Sequence, residues 1–230
     1  MKKIAHQYGL RMEEINVESN DAKYFSNEHE TIERNTEAKS LNAKQDPGGK
    51  IRLFYGTNRK PADKIESKQN YGSLDGELQY GICEVNIPQG HKQGEIETPL
   101  NLWIFKFLEN PQMHVVVEKI QALDYSSFIN HFSETLKITQ KKNALLFVHG
   151  YNNSFDDAAK RTAQLAWDLQ FDGFTGFFSW PSAAEIKDYF TDEAAARTSV
   201  PSFVQFLEIL ISETELEQLH IIAHISNCFN

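Results

Sequence analysis

The sequence predicts an α/β fold, a mostly parallel sheet with flanking helices. Three observations predict it. Residues 144–148, 174–179 and 219–223 are short continuous apolar runs, the pattern of strands buried on both faces. Segments with helical character, 156–169 and 192–211, separate them. Strand, helix, strand, helix, strand in that order implies parallel pairing with right-handed crossovers. Ligands of such sheets sit beyond the C-terminal ends of the strands. The unusual residues of this chain fall there.

Taken in order, residues 1–50 are polar and rich in Glu, Asn and Lys, and they read as a disordered or loosely structured arm. Gln45-Asp46-Pro47-Gly48-Gly49 is a turn and a boundary, so the folded domain is expected over 51–230. Residues 51–55 and 79–87 are β-prone, with the charged, Gly-bearing stretch 60–78 expected as a loop between them. Residues 102–107 and 114–120 add two more strands, giving a short β-meander. Phe128, Ile129, Phe132 and Leu136 then recur at helical spacing over 124–137, with Ser126 or Ser127 expected as the cap. The helix over 156–169 carries small residues on one face, which lets it lie close to a sheet. Arg161 and Gln164 are its available polar partners.

Composition excludes several functions. With 40% hydrophobic residues, the 230-residue chain can bury a core. A net charge of -9 repels phosphate backbones, so nucleic acid is not an expected partner. Two cysteines, Cys83 and Cys228, make no disulfide framework and read as reduced thiols. No apolar run approaches the ~20 residues of a membrane span. The basic start lacks an apolar segment behind it, so a cytoplasmic protein is expected. No His, Cys and Asp spacing suits zinc, and neither a metal nor a cofactor is expected.

Three clusters carry candidate chemistry. Phe147 to Phe155 ends a strand in His149-Gly150 and leads through Tyr151, Asn152 and Asn153 into a helix. Gly150 permits close backbone approach, and the Tyr151 N–H is the natural candidate for an oxyanion donor. A simple turn with His149 packed locally is the plainer reading. Phe178-Ser179-Trp180-Pro181-Ser182 ends the next strand, where Trp180 either walls a substrate pocket or caps the core. Leu219 to Cys228 ends the third. A nucleophile elbow reads small-x-Ser-x-Gly, with the serine in a strained turn of positive φ. Ala223 fits the first small position, which puts Ile225 in the serine slot and Asn227 in the glycine slot. A β-branched residue is poorly suited to positive φ. Moving the frame to make Ser226 the nucleophile puts His224 and Cys228 in the small slots. Ser226 with His149 or His224, and Asp156, Asp188 or Asp192 as the acid, is the remaining way to assemble a triad.

These clusters together resemble a bacterial α/β-hydrolase family catalogued as of unknown function. The features matched in order are Phe54-Tyr55-Gly56-Thr57-Asn58-Arg59, Tyr71-Gly72, Gly81 to Pro88, His91 and Gly94-Glu95-Ile96-Glu97. Phe147 to Phe155, Arg161-Thr162-Ala163-Gln164, Ser179-Trp180-Pro181-Ser182 and Tyr189 through Asp192 complete the run. The similarity spans about residues 50–224. In that family the strand after the long helix ends in Ala-His-Ser-Met-Gly-Asn. This chain reads Ala223-His224-Ile225-Ser226-Asn227-Cys228.

The resemblance implies a serine hydrolase fold with an esterase-like or lipase-like reaction on a small acyl or ester ligand. It implies an oxyanion loop and pocket at His149, Gly150, Tyr151, Asn152, Trp180 and Ser182, and Ile225 at the nucleophile position. Triad order in such enzymes is Ser, acid, His. The chain is therefore expected to be truncated at the elbow, with its C-terminal strands missing and its activity lost. A non-catalytic ligand- or protein-binding module and a gene remnant are the rival expectations.

Overall fold

In the computed structural model, residues 46–62, 70–98, 101–102, 105–106, 109–139, 142–183 and 189–224 are described. Strands β1 (Gly49–Pro61) and β2 (Tyr71–Ile87) form an antiparallel hairpin, in even register from Gly49 opposite Ile87 to Thr57 opposite Gln79. Among the described residues, strands β3 (Asn101–Leu102) and β4 (Phe105–Lys106) pair only with each other. Strand β5 (Val116–Leu123) lies antiparallel along β2. Strands β6 (Asn143–Val148), β7 (Phe174–Ser179) and β8 (Gln218–Ala223) are parallel, and β7 is also parallel to β1. The six-stranded sheet runs β5-β2-β1-β7-β6-β8.

The meander is present, but the expected loop over 60–78 is largely strand. The hairpin extends past Thr57 through two register shifts, with Arg59 opposite Asp75 and Pro61 opposite Tyr71. Most of Ser73 to Glu77 is exposed, so the segment has no apolar alternation to announce a strand. The strand expected over 102–107 is replaced by the small β3–β4 ribbon. Residues 1–45, most of the expected arm, lie outside the described residues, and β1 begins beside the expected boundary.

Helices cover both faces of the sheet. Helix α1 (Tyr125–Ile138) is capped by Asp124, whose carboxylate accepts the Ser127 N–H at 2.8 Å. Ser127, one of the two serines expected to cap it, donates to the cap instead, because Asp124, just before the helix, already has the extended backbone an N-cap needs. Helix α2 (Phe155–Asp168) starts with a reciprocal capping box between Ser154 and Asp157. The single helix expected over 192–211 is two, α3 (Tyr189–Thr198) and α4 (Val200–Ser212). Pro201 cannot donate an N–H or follow a helical turn without a clash, and it stands in the first turn of α4, where neither matters.

Alternate residues of each buried strand serve opposite faces. Leu53, Tyr55, Phe147 and Phe177 pack with Phe155, Ala158, Ala159 and Ala163 of α2. Phe54, Leu146 and Phe178 face the other way, against Phe128 and Phe132 of α1 and Phe203 and Phe206 of α4. The three alanines let α2 sit close to the sheet.

This layering creates a switch point. From β6 the chain crosses to β7 by way of α2, then returns over β6 to β8 by way of α3 and α4 on the opposite face. The connections leaving β6 and β7 run on opposite faces, which puts the switch point at the C-terminal ends of those two strands. On the other side of β6, Val148 pairs with Ala223, and the His224 N–H donates to the Val148 carbonyl at 2.9 Å.

Candidate active site at the ends of the parallel strands

His149 follows β6 directly and is almost fully buried, at 2% exposure. Its Nδ1 lies 2.7 Å from the Gly150 carbonyl and its Nε2 lies 3.2 Å from Ser179 Oγ. A carbonyl only accepts, so Nδ1 carries the proton and Nε2 accepts from the Ser179 hydroxyl. Burial, reinforced by the nearby Arg59 charge, pushes the His149 pKa down to about 3. The ring is neutral, stacks on Trp180 at 4.9 Å, and has no nitrogen left for a second hydroxyl.

Arg59, at the end of β1, is 1% exposed. Its Nε–H donates to Ser179 Oγ at 2.8 Å. Its two terminal nitrogens donate to the carbonyls of Gly72, Ser182 and Asn153 at 2.9, 3.1 and 2.7 Å. One planar fork thus joins β2, the loop after β6 and the loop after β7. Burial lowers the Arg59 pKa to about 10, against the opposing field of Asp192, Asp157 and Asp156. Thr57 adds a second tie, donating from its hydroxyl to the Ser179 carbonyl at 2.6 Å.

Asp192 of α3 makes the matching clamp. Its carboxylate, 2% exposed, accepts from Asn152 N–H at 3.0 Å, Ser182 Oγ–H at 2.5 Å and Ala183 N–H at 2.7 Å. Ser182 Oγ in turn accepts the Asn153 N–H at 3.2 Å. Asn152 holds φ = 58°, a left-handed conformation that Asn tolerates better than most residues. The Asn153 side chain donates to the Tyr151 carbonyl at 2.7 Å and the Gly150 carbonyl at 3.3 Å.

The residues singled out by sequence therefore meet, in a different arrangement from a pocket lining. His149, Gly150, Trp180 and Ser182 are buried, and Trp180 donates its indole N–H to the His149 carbonyl at 2.8 Å. Trp180 caps the core on the α1–α4 side and meets the Tyr151 ring edge-on at 5.7 Å. The amides of Asn152 and Asn153 are spent on Asp192 and Ser182. Tyr151 is half-buried between these groups. Of the candidate acids, Asp192 is committed to the loop, and burial raises the Asp156 pKa. Ser226, Ile225 and Asp188 lie outside the described residues. Among the described residues no group of His, Cys, Asp and Glu has the geometry of a metal site, and no helix is long and apolar enough to cross a membrane. A groove of about 460 Å³ lies at the opposite edge of the sheet, lined by Lys137, Lys142 and Glu213 among others.

Arg59, Ser179 and Asp192 are the organising groups; sequence reading gave Arg59 and Ser179 no role in the site, and offered Asp192 only as a triad acid, where it clamps the loop instead. The available signal was an arginine ending a β-prone run, a place where an unpaired charge is costly.

Residues 124–227 match the model of a family described as alpha/beta hydrolase of unknown function (DUF900). The match starts at the cap of α1 and takes in every parallel strand except β1, so the motifs of β1 and β2 lie outside it. No curated protein and no solved structure matches the chain.

Proposed function

We propose, from the match of residues 124–227 to the model of an α/β-hydrolase family of unknown function, that the chain keeps the frame of a serine esterase-like site and has no competent nucleophile in it. One observation carries the reading. The end of β8, where an elbow begins, is hydrogen-bonded to the end of β6, where the loop expected to hold the oxyanion begins. Position 225, two residues past Ala223, is Ile in this chain. An aliphatic branched side chain offers no oxygen to attack an acyl carbon.

In an active relative of this architecture a serine attacks the acyl carbon, a histidine takes its proton, and backbone N–H groups hold the oxyanion. Here His149 shapes the loop: its two nitrogens hold Gly150 and Ser179, and its low pKa keeps it from serving as a base near neutrality. Trp180, Ser182 and Asn152 belong to the same frame with Gly150, half-buried Tyr151 is the loop residue offered to an acyl ligand, and His149, with both nitrogens committed, is no base for Ser226. Loss of the nucleophile costs on the order of a million-fold in rate in a comparable hydrolase.

Hydrolysis of short- and long-chain nitrophenyl esters tests this. The expected rate equals that of the same protein unfolded in urea and then diluted into the assay. Turnover that disappears in Ser226→Ala would overturn it.

A further inference from the structure

The His91 and Gly94-to-Glu97 motif has no part in the candidate site, and it sits at the far end of α2. His91 is 8% exposed. Its Nδ1 lies 2.9 and 3.0 Å from the two oxygens of Glu97, and its Nε2 lies 3.1 Å from Asp168 Oδ1. We propose that His91 is a buried imidazolium latch, fastening the loop after β2 to the last turn of α2 and losing its hold when the ring gives up its proton.

Donor counting fixes the protonation of the ring. An ionised carboxylate only accepts, so a ring that bonds carboxylates through both nitrogens must carry a proton on each. That ring is a cation. Helix polarity gives it a further use. Asp168 is the last residue of α2, where the helix dipole is negative, and the last turn has no basic residue of its own. The latch supplies the missing positive charge. The Gly94 N–H donates to Asp168 Oδ2 at 2.8 Å, the Gln164 amide donates to the same oxygen, and the Lys92 N–H donates to Glu97 Oε1 at 3.0 Å. Loop and helix are thereby closed around the ring.

The charged groups around it are few. Glu97 faces it from its own loop and Asp168 from α2. Arg161 acts indirectly, through Gln164. Lys92 and Glu95 pair with each other at the surface, and Asp46 accepts the neighbouring Trp167 indole N–H at 2.8 Å. Burial alone lowers the His91 pKa, but the hydrogen bonds and charges of Glu97 and Asp168 outweigh it, and the net shift is upward. Burial also raises Glu97, and the Lys92 N–H and His91 more than reverse that. A raised imidazole pKa fixes the sign. The latch holds fully below the ordinary value of 6.5 and weakens as pH rises through the raised one. On the acid side, protonation of Glu97, whose pKa lies below its ordinary value, weakens it.

The latch shares no residue with the candidate site. Ring-nitrogen NMR of the full chain across a pH series, with amide exchange read at Gly94, tests it. The expected result is a cationic His91 with both ring protons at pH 6.5, a midpoint above 6.5, and loss of Gly94 protection as the ring titrates. In Asp168→Asn the midpoint should fall. A neutral ring at pH 6.5, a midpoint at or below 6.5, an unmoved midpoint in Asp168→Asn, or Gly94 protection indifferent to the titration would each overturn the latch.

Discussion

Ser179 and His149 share a hydrogen bond of 3.2 Å, the pairing of a nucleophile and its base, with both residues buried from solvent. Ser179 is fully buried, and its oxygen already accepts from Arg59. The pair is a strut between the ends of β6 and β7. A strut with a neutral imidazole has a pH signature. The His149 pKa is depressed to about 3, so its contribution to stability is present above the ordinary 6.5 and is lost as pH falls toward the folded value. From pH 7 to pH 5, unfolding free energy should drop by about 2 kcal/mol more in the wild type than in His149→Gln. Urea titrations at the two pH values read the difference.

Arg59→Lys should behave as a severe change. A lysine keeps the charge and cannot reach Ser179, Gly72, Ser182 and Asn153 together, so buried acceptors lose their donors. The expected loss is about 3–5 kcal/mol, from broken buried pairing. It is checked by the urea midpoint of the folded variant.

Asp192→Asn removes the charge from three donors while keeping the size. Asn152 N–H, Ser182 Oγ–H and Ala183 N–H lose a charge-assisted acceptor. Stability should fall by about 1–3 kcal/mol. Amide exchange at Asn152 should rise, while exchange in β1 and β2 away from the loop should change little.

Gly56→Ala tests the packing of α4 on the sheet. A Cβ at Gly56 would sit 2.6 Å from Phe206 Cδ2, and Phe206 is a fully buried ring among Tyr80, Phe128 and Phe178. The ring has little freedom to retreat, so overpacking should cost about 1–3 kcal/mol, measured by thermal or urea unfolding.

The parallel half of the fold was legible because its strands are buried on both faces. The apolar runs that became β6, β7 and β8 match their expected bounds within a residue. The extended hairpin was not, since Ser73 to Glu77 face solvent and carry no alternation. The break between α3 and α4 had its signal in Pro201, which a helical reading over 192–211 overran. Within the site, the strand-end positions of His149, Trp180 and Ser182 could be read from the sequence. Their bonding could not, because it runs through Arg59, 90 residues before His149 in the chain, and Asp192, reached from another helix. Long-range polar pairing leaves no periodic trace.

The central question is whether any hydroxyl of this chain is activated. Incubation of the folded protein with a fluorophosphonate, followed by intact-mass and peptide mass spectrometry, measures that directly. An unmodified mass is expected at probe concentrations that label an active serine hydrolase to completion. A stoichiometric adduct on Ser226, or on any other serine of the folded chain, would contradict it.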